Sequence, residues 1–365
     1  MLLNTLVFFM MLALVYVIYV VQFIKWQNKK TRGDAFFSLA LEERRALKRR
    51  LQRHAPFVLP AFRVLSLLFP IKNPPAFFYK DVAGPAAIAS SKSFQAAAEF
   101  TPGPDDIFIA TQMKCGTTWM QQIVFEILHK GKGDLSDNGY RHMYALSPWI
   151  ETSPRGSVPI ERAPFVSDYK KRLIKTHLPT LLCPYSKEAK YIYVTRHPVS
   201  CFASTVDFIE FLTGPMAPAR EDMLNWFCSE KFYWLSWAKN VDGWWRWSQQ
   251  YPNVLFVHYE DLKSQPAEYI DRVARFLGIE INSEERQAIL DKSSFGYMQA
   301  MEEHFEMAPP SVFSVNSNNR FMASGKNKRY KDVTEADRQK IVDYTVDALK
   351  DASYPINRFY PDVTV

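Results

Sequence analysis

The chain has 365 residues, 47% of them hydrophobic and 15% aromatic, so it can bury one large core or two modest ones. Its net charge of +7 matches the surplus in residues 25–54, where ten Lys and Arg accompany three Asp and Glu, so the remainder is close to neutral. A basic block beside an apolar segment favours anionic lipid head groups, and not nucleic acid, as the partner.

The apolar start of the chain predicts a transmembrane helix over residues 1–24. Leu2–Ile24 carries no charge and is long enough to span a bilayer with some tilt. It lacks the basic start, short apolar core and small-residue cleavage site of a signal peptide. Lys25, Lys29, Lys30 and Arg32 all follow it. By the positive-inside tendency we expect a single-pass membrane protein whose C-terminal part faces the cytoplasm.

Residues 25–99 are predicted to form a basic juxtamembrane stalk and linker. Leu41–Arg53 has the pattern of a charged helix, and Ala61–Ile71 is apolar but too short to cross a membrane. Together they fit an interfacial collar on the lipid head groups. The alternative, that Phe62–Phe69 packs on the globular part, stays open. Four prolines predict an irregular linker: Pro70, Pro74, Pro75 and Pro85.

The globular part, residues 100–365, alternates short apolar runs with helical patterns. Strands are predicted at Ile107–Ala110, Leu173–Thr176, Tyr191–Thr195 and Val254–Val257. Helices are predicted at Thr117–His129, Val199–Phe211, Leu224–Gln250, Pro266–Leu277 and Glu335–Lys350. Continuous apolar strands between longer helices predict an α/β fold with a parallel sheet covered by helices on both faces.

The cysteines predict neither a disulfide framework nor a zinc site. Their positions give no CxxC spacing and no histidine partner in register: Cys115, Cys183, Cys201 and Cys228. We expect reduced thiols, as in a protein that faces the cytosol.

The residues that follow the first predicted strand have the pattern of an anion-binding site. Thr111-Gln-Met-Lys-Cys-Gly116 leads into a helix that opens at Thr117, and this order presents backbone N–H groups and a positive dipole end to an anion. Lys114 adds a mobile charge, while Thr117 and Thr118 add hydroxyl groups. The spacing is not that of a Walker A loop. We therefore predict a P-loop-like site for a phosphate or sulfate ester, with an ordinary strand–turn–helix as the alternative.

The ends of the other strands add chemically useful groups at the same sheet edge, where parallel sheets bind ligands. Lys175 and His177 lie on one face of the second strand. A neutral imidazole there can take a proton from a hydroxyl group. Arg196 after the third strand, with Ser204 on the following helix, suits a terminal phosphate. Taken alone, each has a structural alternative, such as a core histidine or an arginine paired with a surface carboxylate.

Four ordered motifs resemble those of the cytosolic-type sulfotransferases, which use 3′-phosphoadenosine 5′-phosphosulfate (PAPS). They are Lys-Cys-Gly-Thr-Thr-Trp at 114–119, Arg-Leu-Ile-Lys-Thr-His-Leu-Pro at 172–179, Tyr-Val-Thr-Arg-His-Pro…Ser at 193–204 and Tyr-Glu-Asp-Leu-Lys at 259–263. The resemblance runs from about residue 100 to about residue 330. It implies a sulfotransferase domain with a parallel sheet and flanking helices, and PAPS as co-substrate with no metal required.

The resemblance also implies a role for each matching residue. His177 would be the general base, with Lys114 and Lys175 stabilising charge. Arg196 and Ser204 would hold the 3′-phosphate. The remaining PAPS-binding residues would be Lys114, Cys115, Gly116, Thr117 and Thr118 at the 5′-phosphosulfate and Trp119, Tyr259, Ser293 and Phe295 at the adenine.

Three departures from the family pattern bear on these roles. Met113 and Cys115 stand where Pro and Ser are usual, which removes a hydroxyl group but keeps the backbone loop. The late Phe-Met-Arg-Lys-Gly segment appears as Phe321-Met-Ala-Ser-Gly325, so its Arg-Lys pair would have to be replaced by Lys326, Lys328 or Arg329. The family's dimer segment is not matched at Lys331–Glu335, which leaves the oligomeric state open.

Two other functions stay open at the level of sequence. Glu260 and Asp261 could be metal ligands of an ATP–Mg²⁺ phosphotransferase, or the chain could be a non-catalytic nucleotide-binding membrane module. For a sulfotransferase, we expect a small lipophilic acceptor and contact with membrane lipid. The aromatic segment Trp226–Trp247 is predicted to be mostly core, and part of it could wall the acceptor pocket with Phe208–Met216 and Tyr297–Phe313.

Overall fold

The computed structural model describes residues 2–136, 142–306, 308–315 and 333–363. Phe321–Gly325 and the predicted substitutes Lys326, Lys328 and Arg329 lie outside the described residues, as does the start of Lys331–Glu335. The strands are β1 Ala76–Tyr79, β2 Val82–Pro85, β3 Asp106–Thr111, β4 Arg172–Thr176, β5 Lys190–Thr195 and β6 Val254–His258.

The helices cover the rest of the regular structure. In chain order they are α1 Leu2–Lys30, α2 Gly33–Phe36, α3 Leu41–Leu68, α4 Ser91–Ala98, α5 Thr117–Leu128, α6 Met143–Leu146, α7 Pro198–Thr213, α8 Arg220–Phe227, α9 Trp237–Gln250, α10 Tyr259–Ser264, α11 Pro266–Leu277, α12 Ser283–Lys292, α13 Phe295–Ala300, α14 Glu335–Leu349 and α15 Ile356–Phe359. Short 3₁₀ turns lie at Ile150–Thr152, Ile160–Arg162, Gly214–Met216 and Glu302–His304.

The predicted parallel sheet is confirmed. Its order is β4-β3-β5-β6, every neighbouring pair is parallel, and each strand begins and ends within one residue of its predicted bounds. The register pairs Ile109 with Lys175 on one side and with Ile192 on the other. The carboxyl ends of all four strands therefore meet at one edge, next to the loop that opens α5.

One predicted helix is wrong as a single element. Leu224–Gln250 is divided into α8 and α9 by the loop that follows Phe227. Trp234 and Leu235 in this loop have φ of 59° and 75°, and the Trp234 N–H donates to the carbonyl of Ala83 on β2 at 2.8 Å. The backbone leaves the helical path because the loop packs on the hairpin formed by β1 and β2, a contact that helical spacing cannot indicate.

The segment before residue 100 is more ordered than a stalk and irregular linker. Leu41–Arg53 and the start of the apolar segment after it form one helix, α3, which contains Pro56 and Pro60. Pro85 ends β2 of an antiparallel hairpin, and Val82 and Phe94 pack in the main core. The start of the predicted domain at residue 100 stays a prediction.

The aromatic segment is mostly core, as predicted. The fully buried side chains include Trp226, Trp234, Trp237 and Trp244. All four cysteines are free thiols, and three of them are buried. Near the N-terminus, α1 is long and apolar enough to cross a membrane, by length and composition alone. It is the one such helix among the residues described.

Candidate active site

The loop between β3 and α5 exposes the start of the helix. Lys114 and Gly116 have φ of 64° and 104°, so the chain curls back before Gly116 caps α5. A Cβ atom on Gly116 would lie 2.8 Å from a ring carbon of Tyr259. A residue without a side chain is therefore required, and the Tyr259 ring lies directly against the loop. The free N–H groups of the first turn of α5 remain available to an anion.

We expect Gly116→Ala to destabilise the fold by about 1–3 kcal/mol and to weaken nucleotide binding, because the left-handed backbone is strained and the methyl group meets Tyr259. Gly278→Ala is the matched control, since Gly278 has φ of 71° but no heavy atom within 4 Å of the added Cβ. Urea unfolding of both variants measures the difference. Equal losses in the two variants would show that the Tyr259 contact does not constrain the loop.

His177 is held in one tautomer. Its Nδ1 lies 2.7 Å from the carbonyl oxygen of Thr111, which can only accept, so Nδ1 carries the proton and the neutral ring keeps a lone pair on Nε2. The Thr111 hydroxyl lies 3.0 Å from the same nitrogen. Burial, then the charges of Lys175 and Lys114, lower the pKa of His177 well below its ordinary value. The ring is therefore a neutral base at physiological pH.

Lys175 lies in an aromatic box beside His177. Its Nζ donates to the Tyr144 hydroxyl at 2.9 Å and lies 3.5 Å above the Trp149 ring. The same Trp149 ring contacts His177 edge-on at 4.8 Å. Lys175 and His177 thus share one face of the chain, as the alternation along β4 predicts. Burial lowers the pKa of Lys175 well below its usual value, while the charge of Glu151 opposes that change.

Glu151 is a site residue that sequence reasoning missed. One carboxylate oxygen accepts from the backbone N–H of His177 at 2.7 Å and from the indole N–H of Trp149 at 2.6 Å. The other oxygen accepts from the Thr176 hydroxyl at 3.0 Å. The carboxylate is fully buried, and burial raises its pKa. An acid directly after the mostly apolar residues 143–150 is the available signal, but its closeness to β4 depends on tertiary structure.

Lys114 belongs to the loop that precedes α5, and Arg196 lies against this loop. The Lys114 ammonium lies 4.5 Å from the centre of the Phe208 ring on α7. The Arg196 guanidinium donates to the Lys114 carbonyl at 3.3 Å and lies 4.8 Å from the Tyr259 ring centre. Lys114 is also close enough to His177 and Lys175 for its charge to lower the pKa of both. The structure therefore brings Lys114, Lys175 and Arg196 to the same edge of the sheet.

The residues predicted to hold the adenine meet at the start of α5. The Trp119 indole donates to the Ser293 carbonyl at 2.8 Å, and its ring contacts Tyr259 edge-on at 5.5 Å. Phe295, two residues after Ser293, is a partly exposed ring (43%) at the start of α13. The Ser293 hydroxyl donates to the carbonyl of Ile289. Two aromatic rings, Trp119 and Tyr259, thus lie near the loop, while the Ser293 hydroxyl is already bonded within its own helix.

The remaining predicted residues support the loop in different ways. The Thr117 hydroxyl lies 2.7 Å from that of Thr111, so it belongs to the hydrogen bonds around His177. Thr118 is buried in the first turn of α5, and Ser204 is partly buried in the second turn of α7. The Cys115 thiol lies 3.7 Å from that of Cys201, and burial raises its pKa, so Cys115 contributes backbone but no reactive thiolate.

The carboxylates that the phosphotransferase alternative needs are engaged elsewhere. Glu260 accepts from the His197 N–H at 3.0 Å and from the Tyr360 hydroxyl at 3.1 Å, which holds the turn before α7. Asp261 accepts from the Tyr269 hydroxyl. In the described parts of the chain, no group of three or more His, Cys, Asp or Glu is placed to hold a metal ion.

Comparisons with known proteins agree with this geometry. A family model described as "Sulfotransferase domain" matches residues 104–353. Sulfotransferase 1B1 of Canis lupus familiaris is 32% identical over 240 residues, which cover 62% of this chain and 77% of that protein. Sulfotransferase 2A1 of Homo sapiens is 31% identical over 224 residues, which cover 60% and 73%. These matches do not favour the phosphotransferase alternative.

Solved structures share the fold. Mouse sulfotransferase SULT7A1 complexed with PAP has a TM-score of 0.61 and 20% identity, with 79% of this chain and 98% of that chain covered. Retinol dehydratase in complex with androsterone and inactive cofactor PAP has a TM-score of 0.61 and 20% identity, with coverage of 77% and 92%. At these identities the likeness establishes the α/β architecture.

Proposed function

This chain belongs to the sulfotransferase domain family, and from that premise we propose that it moves the sulfuryl group of PAPS to a hydroxyl or amine of a small lipophilic acceptor. The observation that carries the proposal is the imidazole of His177, fixed with its Nε2 lone pair available, beside Lys175 and within range of the Lys114 charge. A base and two cations at an anion-binding loop are what sulfuryl transfer needs.

The residues at the sheet edge fit a doubly anionic adenine nucleotide. The loop from Lys114 to Gly116, with the N-terminus of α5, would hold the 5′-phosphosulfate, since its N–H groups and the lysine charge suit an ester anion. Arg196, with Ser204, would hold the 3′-phosphate through its guanidinium fork. Trp119 and Phe295 would bind the adenine ring, and Tyr259 and Ser293 would line its site.

The proposed reaction is an in-line displacement. His177 Nε2 takes the acceptor proton while the acceptor oxygen or nitrogen forms a bond to sulfur. The bond from sulfur to the 5′-phosphate oxygen breaks, and Lys114 stabilises the negative charge on that oxygen. Lys175 stabilises charge at the sulfuryl group, and PAP leaves with the bonding electrons. Such a transfer depends on positioning and electrostatic stabilisation, with no metal ion as a required part.

We expect Arg196→Ala to weaken PAP binding by about ten- to a hundredfold, because a charge-assisted hydrogen bond to the 3′-phosphate is lost. Binding of adenosine 5′-phosphosulfate, which lacks that phosphate, should change little. Isothermal titration of both nucleotides in the presence of EDTA measures the difference. A similar loss for both nucleotides would remove Arg196 from the 3′-phosphate site, and binding that requires Mg²⁺ would favour the phosphotransferase alternative.

The acceptor is identified by transfer itself. The full chain is incubated with PAPS carrying radiolabelled sulfur and with a lipid extract, a panel of phenols and sterols, a panel of amines, and a panel of soluble sugars and peptides. Label on a lipophilic alcohol or phenol supports the proposal. Label confined to soluble sugars or peptides would contradict the acceptor class, and intact PAPS after incubation with every panel would contradict the enzymatic function.

We further propose that α1 anchors the enzyme in a membrane with the catalytic body facing the cytoplasm. The support is the length of α1 and the position of Lys29 and Lys30 in its last turn. In sealed microsomes, whose outer face is the cytoplasmic one, added protease should degrade the body without detergent. Protection until detergent is added would reverse the orientation, and full release of the chain by carbonate extraction would contradict the anchor.

A further inference from the structure

Two helices that sequence reasoning treated as anchor and collar form an antiparallel pair. Three contacts join them: the Tyr16 hydroxyl donates to the Phe57 carbonyl at 2.9 Å, the Tyr19 hydroxyl lies 2.8 Å from His54 Nδ1, and the Arg50 guanidinium lies 4.1 Å from the Trp26 ring centre. Across these three contacts the residue numbers increase along α1 and decrease along α3, so the two helices run antiparallel. The apolar half of α1 and the last turns of α3 therefore extend to the same side of this contact.

The last turns of α3 expose apolar side chains beside α1. Leu67 is 83% exposed and Leu68 is 65% exposed. The other large exposed residues of Phe57–Phe69, which we call the membrane-facing segment, are Phe57, Val64, Leu65 and Phe69. Covering these side chains is favourable because it removes apolar surface from water. A lipid bilayer is the partner that fits, because α1, which these turns accompany, has the length and composition of a span. Arg63 is long enough to reach the head groups from this segment.

The membrane-facing segment also lies close to the catalytic lysine through α7. Phe62 on α3 contacts Phe313 edge-on at 4.9 Å. Phe313 lies against Gly214, where an added Cβ would be 3.3 Å from the Phe313 Cβ. Gly214 follows α7, and six residues before it Phe208 lies under the Lys114 ammonium. At 1.5 Å per residue, about 9 Å of chain separates Phe208 from Gly214, and the Phe313 ring joins Gly214 to Phe62.

We propose that the membrane-facing segment, Phe57–Phe69, inserts into the leaflet beside α1, and that the acceptor is a bilayer-dissolved amphiphile that reaches PAPS from the leaflet alongside the Phe62–Phe313 contact at the end of α7. This inference rests on the proposed function and names the source of its acceptor. The apolar body of the acceptor stays against lipid and the Phe62–Phe313 pair, while its hydroxyl group reaches His177 and the sulfuryl group.

Insertion is tested without any turnover. In a Cys228→Ser background of the full chain, Leu67→Cys is labelled with an environment-sensitive fluorophore in phosphatidylcholine–phosphatidylserine vesicles that contain a nitroxide-bearing lipid. Leu12→Cys on α1 is the inserted reference, and Leu181→Cys, at a position 67% exposed on the body, is the aqueous reference. We expect quenching at Leu67 close to that at Leu12. Quenching at Leu67 equal to that at Leu181 would overturn the proposal. This holds even if the fluorophore reports an apolar environment, because a second copy of the chain would then cover the segment in place of lipid.

The source of the acceptor is tested by surface dilution. At a fixed total amount of a long-chain alkylphenol, adding inert lipid should lower the transfer rate in proportion to the mole fraction, whereas transfer to a short soluble phenol should not change. Leu67→Glu with Leu68→Glu should slow transfer to the long-chain phenol by roughly tenfold and spare the short phenol, while Leu181→Glu should spare both. A transfer rate to the long-chain phenol that does not change with its mole fraction overturns the proposal that the acceptor comes from the bilayer. If the wild-type chain transfers the sulfuryl group of PAPS to no acceptor, the proposed function is overturned instead, and the quenching result still stands.

Discussion

Replacing His177 with alanine is expected to lower turnover by about a hundredfold or more while PAP binding stays close to that of the wild type. The imidazole is the proposed base, and alanine supplies no lone pair in place of Nε2. Single-turnover transfer measures the chemical step, and titration with PAP measures binding. Near-wild-type turnover in this variant would remove His177 from the role of base.

A second variant separates catalysis from structure. His177→Asn keeps an N–H group that can donate to the Thr111 carbonyl, but it has no lone pair in place of Nε2. We expect it to be as slow as the alanine variant. Recovery of turnover in the asparagine variant would mean that the hydrogen bond to Thr111, and not proton transfer, is what the reaction needs. His142→Asn, at another fully buried histidine, is the control for loss of a core imidazole.

The pH dependence follows from the same ring. The pKa of His177 is lowered from its ordinary value of 6.5, and a base acts in its neutral form. The ratio kcat/KM should therefore be flat above pH 6.5 and fall only as the pH drops through the lowered pKa. In His177→Asn this acid limb should disappear. An acid limb centred above pH 6.5 would contradict the neutral, buried base.

Replacing Lys114 with alanine is expected to lower the rate of transfer by about a hundred- to a thousandfold, the size of effect seen when one preorganised charge stabiliser is removed. The ammonium is the proposed partner of the oxygen that leaves sulfur, where negative charge grows in the transition state. The loss should therefore fall on kcat more than on KM. The same single-turnover assay measures it.

Phe208→Leu is the control for Lys114. It removes the ring 4.5 Å from the ammonium but leaves the charge in place, and a cation–π contact is worth only about 0.5–2 kcal/mol. We expect a loss well below that of Lys114→Ala. If Lys114→Ala turned over as fast as Phe208→Leu, the lysine would have no special part in the departure of the nucleotide.

The sheet and its cationic edge could be predicted from sequence because both depend on local patterns. Apolar runs mark buried parallel strands, and the residues that end each run must lie at one edge of the sheet. That rule predicts that Lys114, Lys175 and His177 lie close together, and the structure brings them together. The functional roles of these residues stay predictions, since position alone does not establish chemistry.

What sequence could not provide depends on contacts between distant segments. Glu151 contacts His177 only because the segment before the Ile150–Thr152 turn lies beside β4. The break between α8 and α9 depends on a backbone hydrogen bond from Trp234 to Ala83. In each case a partner far along the chain determines the local conformation.

The most direct test of the cationic site is one turnover with PAPS that carries radiolabelled sulfur. The wild-type chain, reconstituted in vesicles with a lipophilic phenol and EDTA, should form labelled sulfate ester and PAP in equal amounts. Label that appears only as free sulfate, or PAPS that is left intact, would contradict the account.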